Sequence, residues 1–268
     1  MPGPPEPIYP LERTNDRVLP SGYDGPVDVW DIDKTYLRSE FESVTDLLKG
    51  ALLTAIDREP MPGTVPLLRA LRRRGAGGLR APLYFVSASP PELRRTIEKR
   101  MLLDGVEFDG IAFKDYRALI RARRWRQLRN HMAYKLAALL SYRADWPDGA
   151  REWLFGDDAE SDALIYATYA DVRAGKLRGL ALDRALRDAG VSEKDRVRLL
   201  RAAAALPARD SVEAAYIFRV AARPKLDVAS FAPRVTPVRD ALEAAEDLAR
   251  RGRLAAEDVA EVARAIGR

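Results

Sequence analysis

Short apolar runs that end in polar turns, each followed by a helix-like segment, constrain this chain most. VDVW at 27–30 leads into DIDKT, PLYFV at 82–86 leads into SASP, and EWLF at 152–155 leads into GDDAESD. Runs of this length between helical periods predict buried strands of a mainly parallel sheet in an α/β fold. In such sheets ligands gather beyond the carboxyl ends of the strands. Asp31, Ser87 and Asp157 each stand just past such an end, on three separate strands. Asp31 and Asp33 also point the same way, because side chains alternate along a strand. Two like charges that close are costly unless a proton or a cation lies between them.

The spacing predicts further elements around this frame. Apolar residues recur at helical spacing over 41–57 and again after Gly63, in TVPLLRALRRRG. A helix starts just past Pro90, and Phe108–Phe113 reads as another short strand. Residues 115–141 read as helical and very basic, 180–206 as two helices, 212–220 as a last strand and 236–266 as a terminal helical pair. The domain reading is a Pro-rich arm over 1–24, an α/β domain over 25–234 with a helical insertion near 176–210, and a helical extension over 235–268 packed on the same domain.

Composition removes whole classes of chemistry. The 268 residues contain no cysteine and a single histidine, His131, which reads as structural. Thiol nucleophiles, disulfide scaffolds and Cys/His zinc sites are excluded, and catalysis must rest on carboxylates, hydroxyls, lysine and arginine. A net charge of +5 permits anionic partners without demanding them. No apolar run approaches the ~20 residues of a membrane span. The first residues show no apolar stretch behind a basic start, so a cytoplasmic location is expected.

Each motif alone has a bland reading: a capped turn, an acidic loop, a solvated lysine. Their order changes that weighting. DIDKT at 31–35, FVSAS at 85–89, Lys135 in MAYKLAALL and FGDDAESD at 155–162 follow one another as strand-Asp, strand-Ser, Lys, strand-Asp. In this the chain resembles the haloacid dehalogenase-like (HAD) phosphohydrolases. MPGTVPLLRAL, YFVSASPPEL, FKDY, LFGDDAESDALIYA and AAYIFRV extend the resemblance, over roughly 25–225, to the catalytic domain of actin-patch-type phosphatidate phosphatases and their bacterial relatives.

That resemblance implies a Rossmannoid three-layer sandwich with extra C-terminal helices. It also implies a Mg²⁺-dependent phosphatase that forms an aspartyl-phosphate. Carried to matching positions, Asp31 is the nucleophile and Asp33 the acid and base. Thr35 and Ser87 bind phosphoryl oxygens beside the backbone of Ala88. Lys135 neutralises charge, with Lys114 of FKDY as its competitor. Mg²⁺ takes Asp31, the backbone carbonyl of Asp33, Asp157, and Asp162 or alternatively Asp158. One departure is Lys34, where the branch usually carries an acid; this bears on substrate contacts rather than on the chemistry.

Two features bear on substrate. Residues 36–62 leave room for a small helical flap rather than a large cap, which suits a phosphate on something large. The run RALIRARRWRQLR at 117–129 places Arg117, Arg121 and Arg124 at helical spacing around Trp125. It reads either as a solvated helix face, with Trp125 and Leu128 on the core, or as an anion-binding face. A phosphorylated lipid such as phosphatidate, at a membrane surface, is the favoured substrate. The alternatives are nucleic-acid ends, phosphoproteins, or a non-catalytic module that binds anions or membranes.

Overall fold

The computed structural model describes residues 7–38, 59–224 and 226–268. Its strands are β1 (Leu11–Arg13), β2 (Pro26–Asp31), β3 (Leu83–Ser87), β4 (Gly110–Lys114), β5 (Arg151–Asp157), β6 (Val212–Phe218) and β7 (Thr236–Val238). They form one sheet in the order β1-β4-β3-β2-β5-β6-β7. All neighbours are parallel except β1, which runs antiparallel to β4. The described helices are α1 (Thr64–Arg73), α2 (Arg94–Leu103), α3 (Tyr116–Arg121), α4 (His131–Asp145), α5 (Asp162–Arg173), α6 (Gly179–Asp188), α7 (Glu193–Ala205), α8 (Ala241–Arg250) and α9 (Ala256–Ala265).

Strand β2 is central and shows why the chain layers as it does. Val27 and Val29 turn to one face, into an apolar cluster with Leu136, Leu139 and Leu140 of α4 and Ile165 and Tyr169 of α5. Trp30 turns to the other face, packed with Leu67 and Leu71 of α1, Ile97 of α2 and Leu248 of α8. A strand apolar on both faces belongs in the middle of a three-layer α/β sandwich, and the expected fold class is what the structure shows. Trp30 stacks on Phe155 with ring centroids 4.2 Å apart, and Phe155 stacks on Tyr216 at 5.3 Å. Three adjacent strands thus share one aromatic layer.

Several segments differ from their sequence-based reading. The expected helix over 41–57, and with it most of the expected flap over 36–62, lies outside the described residues. From Tyr9 onward the Pro-rich beginning is part of the fold, since Tyr9 is buried and β1 adds an edge to the sheet. The basic stretch 115–141 is not one helix. Asp115 caps α3, Arg123 takes a left-handed φ of 54°, a 3₁₀ turn covers Trp125–Leu128, and Asn130 caps α4. Two side chains that accept backbone N–H groups at helix starts outweigh a periodic arginine pattern that has no core to face. Residues 236–238 are strand rather than helix, and α8 and α9 follow them. The insertion near 176–210 forms α6 and α7; α7 packs along α4 and α6 packs on α7, and Asn130 Nδ2 donates to Ala189 O at 2.9 Å.

The terminal pair of helices is joined to β2 by a buried ion pair. Arg253 Nη2 lies 2.7 Å from Asp28 Oδ2 and also donates to Leu71 O at 3.2 Å. Burial pushes the Asp28 carboxyl up, and the guanidinium pulls it back. Removing one partner of such a pair leaves an uncompensated charge. Asp28→Ala is therefore expected to cost ~3–5 kcal/mol of folding stability, read as a fall in the urea midpoint.

Candidate active site

Strands β3, β2 and β5 are parallel neighbours, so their carboxyl ends bring Ser87, Asp31 and Asp157 side by side. After β2 the chain turns back on itself. Tyr36 N and Leu37 N both donate to Ile32 O, at 3.0 and 2.9 Å, and Lys34 N donates to Leu37 O at 2.8 Å. The turn requires φ 64° at Lys34, a left-handed conformation that costs a non-glycine residue roughly 1 kcal/mol. It returns Thr35 to the strand ends, where its hydroxyl lies 3.4 Å from Asp31 Oδ2 and 3.3 Å from Asp157 Oδ2.

The two carboxylates of the DID sequence have different surroundings. Asp31 is buried, and its Oδ1 lies 2.7 Å from Lys135 Nζ. Asp33 is half-buried, and its Oδ2 accepts hydrogen bonds from Ser87 Oγ at 3.2 Å and Ser89 Oγ at 2.8 Å. Ser87 Oγ in turn accepts from Ser89 N at 3.0 Å. Ser89 was absent from the sequence-based set; the signal was the paired hydroxyls of Ser-Ala-Ser, which a turn can aim at one acceptor.

Lys135 stands in the second turn of α4, fully buried, with Asp162 Oδ1 at 2.5 Å and Glu160 Oε2 at 3.7 Å. Burial alone would depress its pKa; attraction from Asp162, Asp31 and Glu160 outweighs that and holds it well above the ordinary lysine range. Burial pushes Asp31 well up, against the pull of Lys135. Burial, then repulsion from Asp162, pushes Asp157 up to about 8. Asp162 reaches this site because residue 156 is glycine: a Cβ there would stand 2.4 Å from Asp162 Oδ2.

Asp31, Asp157 and Asp162 each present an oxygen within 4.8 Å of the others. With all three carboxyls ionised, one ammonium would leave two negative charges in surplus, which a single divalent cation would neutralise. An all-oxygen donor set of this kind suits a hard ion, so the triad can hold a metal.

Other sequence candidates lie differently. Asp158 Oδ1 accepts from Val220 N at 2.9 Å and Ala221 N at 2.8 Å, so it pins the chain after β6 and is not part of the triad. Lys114 donates to the carbonyls of Leu128 and Asn130, both at 2.9 Å, with the Tyr116 ring beside it. Arg124 pairs with the buried Asp195, in the first turn of α7. Arg121 is exposed on α3, and the carbonyl of Ala88 accepts from Tyr116 Oη at 2.7 Å. His131, expected as structural, faces Glu160 with Nδ1 3.5 Å from Oε2. Glu160 was also missed; its place two residues before Asp162, in the loop that closes over α4, is the signal.

The model of one family, the phosphatidate phosphatase APP1 catalytic domain, matches residues 29–182. That span holds Asp31, Asp33, Thr35, Ser87, Lys135, Asp157 and Asp162. The crystal structure of a candidate HAD-like phosphatase from Mesorhizobium loti matches with 11% identity, covering 98% of this chain and 94% of its own, at a TM-score of 0.40. A comparison with curated proteins finds no significant match.

Lys114 supplies a test of this geometry. Burial pulls its pKa down to about 7, against a weaker pull upward from Glu160; in an unfolded chain lysine titrates near ~10.4. Between those values the unfolded chain binds more protons, so the residue's contribution to stability rises with pH and is flat below about 7. The urea midpoint of the wild type should therefore gain on that of Lys114→Met as pH rises from about 7 to about 9. Parallel curves would contradict the burial of this ammonium.

Proposed function

The chain belongs to the family of the phosphatidate phosphatase APP1 catalytic domain and is a phosphatase; from that premise we propose that it is a Mg²⁺-dependent phosphomonoester hydrolase with a phosphorylated lipid, such as phosphatidate, as its favoured substrate. The observation that carries this reading is the unlike treatment of two carboxylates two residues apart. Asp31 is buried against a lysine, and Asp33 is half-buried on two hydroxyls.

That asymmetry supports two roles. Asp31, its charge balanced by Lys135, attacks phosphorus, and the bond to the ester oxygen breaks as the Asp31–phosphorus bond forms. Asp33 gives its proton to the departing oxygen. It then takes a proton from the water that attacks phosphorus, which breaks the acyl-phosphate bond and releases phosphate and free Asp31. Thr35 and Ser87 turn their hydroxyls toward the transferring oxygens, and Ser89 keeps Asp33 in place. Asp31, Asp157 and the backbone carbonyl of Asp33 would hold the metal, with Asp162 shared between it and Lys135. When bound, Mg²⁺ supplies neutralisation of charge on the phosphoryl oxygens. The lipid preference comes from the family's named substrate.

The tests separate chemistry from substrate. Asp31→Asn should lower phosphate release from a soluble aryl phosphate by ~10⁴-fold or more, and Asp33→Asn by ~10²–10⁴-fold, in a steady-state assay. A chelator should abolish activity and added Mg²⁺ restore it; Mg²⁺ should also raise the melting temperature, and that rise should be lost in Asp157→Asn. A wild type inactive on a broad phosphomonoester panel with Mg²⁺ present would sink the proposal. Turnover of phosphorylated oligonucleotides but not of phosphatidate vesicles would replace the lipid.

A further inference from the structure

Between Asp115 and Asp145 the sequence contains no acidic residue, and residues 117–129 carry six arginines. The fold sorts these six. Arg117 pairs with Glu92, and Arg124 with Asp195. Arg121, Arg123, Arg126 and Arg129 are exposed and pair with no carboxylate among the described residues. Trp125 stands among them 59% exposed, with Ile120 at 37%, whereas Trp30, Trp146 and Trp153 are all buried.

The underside of this segment is fixed. Tyr116, Leu119 and Gln127 are buried, and Lys114 holds the carbonyls of Leu128 and Asn130 from within. Arg123 sits at φ 54°, where glycine would fit without strain, so the bend is made with an outward guanidinium in place. The segment follows β4 directly, at the sheet end where Asp31, Ser87 and Asp157 lie, and leads into the helix that carries Lys135. Tyr116 Oη bonds Ala88 O, one residue from Ser87 and from Ser89. The segment that carries these arginines and the exposed indole therefore begins and ends beside the candidate active site.

We propose that residues 120–129 form a docking surface for an anionic phospholipid bilayer, which seats the active site against the membrane that presents its substrate. The inference rests on the lipid reading above for its choice of partner. Exposed arginines with no carboxylate partner among the described residues attract anionic headgroups, and an exposed tryptophan beside them belongs at the headgroup level. Among the described residues no helix is long and apolar enough to cross a membrane, so the association is with the surface. A nucleic-acid strand fits less well: the segment exposes one aromatic ring, where stacking platforms for single strands use successive ones.

The test uses the full chain and two variants, Trp125→Ala and Arg126→Gln/Arg129→Gln. The probe is vesicles of phosphatidylcholine and phosphatidylglycerol at about four to one, compared with phosphatidylcholine alone. Phosphatidylglycerol is a phosphodiester, so binding is read without turnover. The wild type should sediment with the anionic vesicles and be released by salt, with a shift in tryptophan fluorescence that Trp125→Ala removes. The double variant should bind on the order of 30-fold more weakly, from about 1 kcal/mol per arginine, while hydrolysing a soluble aryl phosphate as the wild type does. A wild type that ignores anionic vesicles at low salt, or variants that bind as it does, would overturn the proposal. Loss of binding to a phosphorylated single-stranded oligonucleotide in the same variants, with vesicle binding intact, would reassign the surface to nucleic acid. Failure of the phosphatase reading would show separately, as an inactive wild type that still binds vesicles.

Discussion

A single ammonium group organises this molecule. Lys135 Nζ, without access to water, sits between Asp31 Oδ1 and Asp162 Oδ1. Burying a carboxylate is tolerable only where a counter-charge and hydrogen bonds replace water, so α4 must begin where β2 ends. Much of the surrounding structure enforces that meeting. Asn130 caps the helix, and Lys114 holds the two carbonyls just before it. Tyr134 Oη, one residue from Lys135, lies 2.7 Å from Ser87 O and 2.8 Å from Ala112 O, which fastens the helix across β3 and β4. From the other side, Gly156 makes room for Asp162 against β5.

Strand β2 carries the consequences to both faces of the sheet. Val27, Val29 and Asp31 share one face, so the packing that fixes α4 also fixes the nucleophile candidate. Asp28 and Trp30 share the other, which meets Arg253 and the aromatic layer of Phe155 and Tyr216. Interiors packed this closely move little, and positioning to within fractions of an ångström is what phosphoryl transfer asks of a protein.

Much of this was legible in the sequence, for a physical reason. A strand buried on both faces must be apolar until it reaches its functional end, so the change from VDVW to DIDKT marks both the element and the site. The same logic exposed Ser87 and Asp157. Partners brought by tertiary contact were harder to read. Ser89 and Glu160 looked like ordinary loop residues, and nothing local distinguished Asp158, which pins the chain after β6, from Asp162, which meets Lys135. The arginines of 117–129 imitated a helical period. Side-chain caps and a left-handed residue interrupt that period, and Arg124 is drawn off to an acid on a distant helix. Edge strands β1 and β7, three residues each, are too short for periodicity to show.

The Asp28–Arg253 contact separates two boundaries that are often treated as one. The match to the family model ends at residue 182, and every candidate catalytic side chain lies before that point. The counter-charge for the central strand lies some seventy residues later, beyond two more strands of the sheet. A chain trimmed to the matched span would keep every candidate catalytic side chain and lose strands β6 and β7 together with the buried counter-charge of Asp28. The region of resemblance is shorter than the folding unit, and the tail beyond it is as much a part of the catalyst's architecture as the motifs themselves.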